Sequence, residues 1–160
     1  ALISQGSSEA VNLFFIEDYS GGWSGVLGNA AGIPGSMKIA NSWNGVLNSL
    51  TAHATGSTLY SNLLGETAAH EMGHQLGLFH PNEKGGTRFD ILSDTPECAI
   101  SRDSNSSGTV SAEECDGYGG DNLMFWTTWS SSSQAAGKTQ ETLSSYQQHV
   151  LKYSPIANLD

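Results

Sequence analysis

The chain has 160 residues, 38% of them hydrophobic, which suffices for one folded domain with a modest core and argues against disorder. Six Lys and Arg stand against 16 Asp and Glu, a net charge of −10 that argues against a nucleic-acid or anionic-membrane partner. No stretch approaches the roughly 18 apolar residues of a membrane span.

The start at Ala1-Leu2-Ile3 has neither an initiator Met nor a basic segment. It reads as a mature or trimmed form, or as a cloned fragment. Val11 to Ile16 is a short apolar run that predicts a buried strand. Residues 20–36 are rich in Gly and predict a loop with an edge strand around Val26 to Ile33. Met37–Ala40 and Gly45–Leu50 are two further strand candidates, the second equally compatible with a helical turn. From about Asn62 to Leu76 the pattern becomes helical, with Glu66 expected in the first turn and Gly77 as the terminating left-handed residue. Residues 82–121 carry almost no periodicity, so this stretch is expected to be functional or held by something other than packing. The serines at 130–133 read as a polar loop. Thr139 to Leu151 predicts a C-terminal helix with Leu143, Tyr146, Val150 and Leu151 on its core-facing stripe.

The informative segment is His70-Glu71-Met72-Gly73-His74-Gln75-Leu76-Gly77-Leu78-Phe79-His80. Residues i and i+4 of a helix project from nearly the same face, so His70 and His74 can grip one ion. Imidazole nitrogen suits Zn²⁺. Glu71 stands beside the first ligand, where it can reach a water on the metal and act as general base. Gly77 lets the chain leave the helix sharply, His80 can return as a third ligand, and Pro81 blocks further helix. Three ligands leave a fourth position open, the mark of a catalytic site. A helix with ordinary core or surface histidines is the alternative.

This segment resembles the HExxHxxGxxH signature of the metzincin zinc endopeptidases. Met124, in Asn122-Leu123-Met124, is the candidate for the clan's methionine in a tight turn beneath the zinc ligands; an ordinary core methionine is the alternative. Pro81 after the third His is similar to serralysins and snapalysins. Asp94-Thr95-Pro96 before Cys98, together with Asn122-Leu123-Met124, looks more like the pappalysins, and a secreted bacterial pappalysin-like enzyme is the reading taken. Two features depart from the clan: Trp126 stands where several families have a Tyr, and the segment before the zinc helix is short.

The resemblance implies an α+β, metzincin-like fold. A small twisted mixed sheet and a zinc-binding helix would form an upper subdomain at 1–77. A loop-rich lower subdomain at 78–160 would carry the methionine turn and a C-terminal helix. It further implies a monomeric, Zn²⁺-dependent enzyme that hydrolyses internal peptide bonds of protein or peptide substrates. Glu71 would assist attack by a zinc-bound water. Substrate would lie antiparallel to the edge strand at Val26 to Ile33, with Phe125 to Trp129 walling a side-chain pocket unless those aromatics are core. A zinc module without catalysis, or a calcium-binding adhesion domain, are the competing classes; retention of Glu71 speaks against the first.

Cys98 and Cys115 enclose residues of little apolar content and are expected to form a disulfide, two buried thiols being the alternative. Between them, 103–114 follows the twelve-position EF-hand loop. Asp103, Asn105, Ser107, Thr109, Ser111 and Glu114 fall at the ligand positions, and Gly108 at the sharp turn. Oxygen ligands at that spacing predict weak Ca²⁺ binding, to which Asp94, Asp116 and Asp121 could add charge. A polar Ser/Asn/Gly turn is the alternative.

Overall fold

The computed structural model describes residues 11–36 and 44–157, so the strand expected at Met37–Ala40 lies outside the described residues. The fold mixes α and β elements in two compact units. One holds the residues up to Leu78 together with those from Val150 onward; the other is Phe79–His149.

In the first unit, strands β1 (Leu13–Ile16), β2 (Gly28–Ala30) and β3 (Val46–Ser49) form one sheet in the order β1-β3-β2. β3 lies parallel to β1 and antiparallel to β2. Gly45–Leu50 therefore resolves as strand. Central placement buries Val46, Asn48 and Ser49 completely. β1, expected to be buried, is instead an outer strand among the described residues, with Leu13 and Phe15 42% and 50% exposed. Successive side chains point to opposite faces of the sheet, and the face bearing Leu13 and Phe15 is left exposed among the described residues. β2 is the opposite edge, within the stretch where an edge strand was expected. A short hairpin, β4 (Ala54–Thr55) and β5 (Thr58–Leu59), leads into α1 (Ser61–Leu76).

Helix α1 packs against β2 and β3. Its first turn carries no acidic residue, because the helix starts one residue earlier than expected and Glu66 falls in the second turn. The residues it buries are Thr67, Gly73, His74 and Gln75, a mostly polar set. Gly77 ends it at φ 111, a backbone state open to Gly and costly for other residues. Gly77 N–H donates to His74 O and Leu78 N–H to Gly73 O, both at 2.9 Å, satisfying two terminal carbonyls as in a Schellman turn.

The second unit has little regular structure: a 3-10 turn at Ile100–Arg102, helix α2 (Ser131–Ala135) and most of α3 (Ser145–Lys152). Its core is Cys98, Val110, Ala112, Cys115, Phe125 and Trp129, with Trp126 packed against it. Cys98 and Cys115 are joined by a disulfide with Cα atoms 5.7 Å apart.

The C-terminal helix is shorter than the predicted 139–151. Thr142 N–H donates to Asp121 O at 3.2 Å and accepts Leu123 N–H at 2.8 Å, which holds this stretch extended. The helix then starts after Ser144, where Asp94 accepts Ser144 Oγ–H and Tyr146 N–H, both at 2.8 Å. The expected apolar stripe is also revised. Tyr146 is 52% exposed, and the buried position is Gln147, whose carboxamide exchanges hydrogen bonds with that of Asn122.

Candidate metal centre

His70 and His74 sit one turn apart on α1, their rings edge to face with centroids 4.7 Å apart. The Gly77 turn returns the chain at once. Within this one continuous segment His70, His74 and His80 each bring a ring nitrogen within 4.8 Å of the others. Among the described residues this is the one group of three or more His, Cys, Asp or Glu side chains able to hold a metal ion.

Two of the rings are oriented from behind. His74 Nδ1 lies 2.7 Å from Leu78 O, so the proton belongs on Nδ1 and the Nε2 lone pair is left for an ion. His80 Nδ1 lies 3.4 Å from Glu83 Oε1, which favours the same tautomer. Three imidazoles with converging ring nitrogens match the donor chemistry of Zn²⁺.

Glu71 projects from α1 towards β2. Burial pushes its carboxyl up to about 7, against a lowering hydrogen bond from the Ala30 backbone. Tyr19 belongs to the same neighbourhood, and nothing in the sequence singled it out. Burial raises its phenol to about 12, with the Glu71 charge as the second cause. Its hydroxyl donates to Leu47 O at 3.0 Å. Tyr19 and Glu71 stand 52 positions apart, so only the pairing of β1 with β3 could have revealed the proximity.

Beside His80, within the second unit, a cavity of 610 Å³ opens between Phe79, Glu83, Lys84, Arg88 and Phe89. The aromatics suggested as a pocket wall lie elsewhere. Phe125 and Trp129 are buried core, 1% and 3% exposed, and Trp126 donates its indole N–H to Val110 O at 2.8 Å.

Met124 is fully buried in a turn closed by Phe125 N–H to Asn122 O at 3.0 Å. Its own N–H donates to Asn122 Oδ1 at 2.9 Å, and the Gln147 partnership locks the Asn122 side chain. The turn is thus built by a carboxamide pair that the sequence did not announce.

In the 103–114 loop, Asp103 accepts the N–H groups of Ser107 at 3.0 Å and Gly108 at 2.7 Å. Glu114 accepts those of Ser104 at 2.8 Å and Ser111 at 3.0 Å. Gly108 has φ +80, the turn that the sixth loop position requires. Ser107 Oγ faces Thr109 O at 3.0 Å, and Asn105 Oδ1 accepts Ser107 N–H at 2.9 Å. Two of the acidic residues expected to reinforce the loop are engaged elsewhere. Asp94 caps α3, and Asp116 pairs with Lys138 at 2.6 Å.

Comparison with known proteins gives one consistent signal. The chain is 36% identical over 118 residues to extracellular metalloprotease 1 of Coccidioides posadasii, covering 68% of this chain and 41% of that protein. It is 33% identical over 110 residues to an extracellular metalloprotease of Colletotrichum graminicola, covering 64% and 38%. It is 28% identical over 131 residues to one of Arthroderma benhamiae, covering 80% and 46%. The chain thus spans less than half the length of these relatives. They are fungal, whereas the sequence resemblance had pointed to a bacterial group. No family model and no solved structure matches. No helix among the described residues is long and apolar enough to cross a membrane.

Proposed function

We propose that this chain, a homologue of fungal extracellular metalloproteases, is the catalytic part of a secreted, zinc-dependent endopeptidase. The observation that carries the reading is the His70, His74 and His80 cluster with Glu71 beside it on the same helix. The extracellular placement follows the names of the relatives.

Zinc held by these three imidazoles would supply Lewis-acid polarisation of a peptide carbonyl and a more acidic water. Glu71 would take the proton of the attacking water and hand it to the leaving amine nitrogen. A buried carboxyl suits that double duty, because its affinity for a proton lies closer to neutral than that of an exposed one. β2 is the outer strand of the sheet among the described residues, and an extended peptide could add beside it as a strand. The cavity beside His80 offers room for a substrate side chain.

The finer assignment is to the metzincins, on the side of the pappalysins. It takes Met124 as the methionine beneath the zinc ligands and residues 1–160 as one catalytic domain, with subdomains at 1–77 and 78–160. It also takes the 103–114 loop as a weak Ca²⁺ site, supported by the Gly108 turn at +80 and by oxygen atoms at the ligand spacing.

The deciding experiment pairs zinc analysis with peptide hydrolysis. The protein should carry one zinc and lose activity to a chelator. Glu71→Gln should keep the zinc while kcat falls by about 10²–10⁴-fold. Full activity in Glu71→Gln, or activity unaffected by complete zinc removal, would sink the assignment.

A further inference from the structure

Resting on the reading of Glu71 as general base, we propose that Asn48 is a positioning residue for the Glu71 carboxyl and that Gly28 is the clearance that brings the two together.

Gly28 on edge strand β2 pairs directly with Asn48 on central strand β3. A Cβ added at Gly28 would lie 2.7 Å from Glu71 Cγ, 2.9 Å from Thr67 Cγ2 and 3.1 Å from Asn48 Oδ1. Three side chains from two elements thus converge on the volume that any other residue would fill with its own methyl or methylene. Glu71 meets that volume through Cγ, the middle of its side chain. An added methyl would therefore swing the whole carboxyl, not merely its tip.

The three neighbours differ in how they are satisfied. Thr67, one helical turn before Glu71, has its Oγ1 2.9 Å from His53 Nε2, and His53 Nδ1 lies 2.6 Å from Ser49 O. That pair is closed on itself and anchors α1 to the end of β3. Asn48 is fully buried, yet neither Nδ2 nor Oδ1 has a hydrogen-bond partner. A buried unpartnered amide is destabilising, and Leu would fill the same space without that cost. A carboxamide kept at this position has use for its polar end. The ionisable group that shares its space is Glu71, pinned on another side by the Ala30 backbone. An amide N–H donated to the charged carboxyl, directly after a small χ2 rotation or through one water, would hold it in a single orientation during turnover. Which end of the amide is nitrogen does not matter to this geometry, because both ends lack a partner.

The test uses full-length, zinc-loaded protein and the variants Asn48→Leu, Gly28→Ala and Glu71→Gln. Four quantities are measured: zinc per chain, melting temperature, kcat and KM on one peptide. Asn48→Leu should keep one zinc and melt at or above the wild-type temperature, because no bond within the protein is lost. Its kcat should fall about tenfold or more with KM within about twofold, as expected for a misaimed general base. Gly28→Ala should also keep zinc and lose kcat, by displacing Glu71. Wild-type kcat in Asn48→Leu overturns the proposal. So does a fall in melting temperature large enough to account for the lost activity, which would make Asn48 a purely structural residue. If Glu71→Gln is itself active, it is the general-base reading that fails. If Glu71→Gln is inactive while Asn48→Leu is normal, only the positioning role falls.

Discussion

Gly77 shows how much of the centre rests on one backbone state. At φ 111 it reverses the chain between the second and third histidines, and its N–H and that of Leu78 close on α1. A side chain there would strain the left-handed state by about 1–2 kcal/mol. Gly77→Ala should therefore lower both stability and zinc affinity, because the chain must leave the helix by another path and carry His80 with it. Equilibrium unfolding with and without a chelator checks this: the variant's deficit should be larger with zinc present. Met124 offers the opposite case. It is fully buried in a turn already held by Asn122 and Gln147, so its sulfur is not needed for the backbone conformation. Met124→Leu should cost under about 1.5 kcal/mol and leave zinc content unchanged. Loss of zinc from Met124→Leu would mean that the sulfur contributes to the metal site.

At the scale of elements, the second unit replaces periodic structure with particular side-chain bonds. The Asp94 carboxylate accepts Ser144 Oγ–H and the Tyr146 N–H in the first turn of α3, as a capping side chain would. Asp94→Ala should cost about 1 kcal/mol, read as a lower urea midpoint at unchanged zinc content. The Cys98–Cys115 bridge lies in the buried core of a stretch with almost no secondary structure. On the chain-entropy estimate it stabilises by roughly 3 kcal/mol, and reduction should open the 99–114 loop to proteases first. For that same loop the Ca²⁺ reading predicts calorimetric binding with Kd on the order of 10⁻⁴–10⁻³ M, removed by Asp103→Ala. Absence of any binding heat at millimolar Ca²⁺ would leave 103–114 a turn closed by its own hydrogen bonds.

For the whole molecule, acidity sets the pH response. Partial burial pushes Glu113 up, but the bonds it accepts from Ser130 N–H and Ser133 Oγ–H outweigh this and hold it at about 2. The Ser111 and Ser104 bonds likewise hold Glu114 at about 2. Both folded values lie below the ordinary 4.5. Their contribution to stability is thus complete above about pH 4.5 and is lost as pH falls through about 2. Unfolding followed in this window should show stability declining with acid. Glu113→Gln should flatten the decline, because the amide does not titrate. A net charge of −10 acts in the other direction at neutral pH, where self-repulsion exceeds that in acid and added salt should stabilise modestly.

The histidine cluster was legible because its geometry is local. A helix places i and i+4 on one face, and a glycine and a proline redirect the chain within six residues, so His70, His74 and His80 needed no knowledge of the rest of the fold. The helix at 61–76 followed from an equally short-range signal, whereas the choice of strand over helical turn at 46–49 came from its pairing with β1 and β2. What surrounds Glu71 was not legible. Gly28, Asn48, His53, Thr67 and Tyr19 are scattered over 48 positions, and each alone reads as an ordinary turn, strand or core residue. The sheet order β1-β3-β2 and the packing of α1 against it bring them together. For the same reason the sequence overextended the C-terminal helix and made β1 a buried strand. Periodicity reports what a segment would do alone. The Thr142 backbone pairing, the Asp94 carboxylate and the pairing of the described strands are decided by residues far away in the sequence, which come near once the chain has folded.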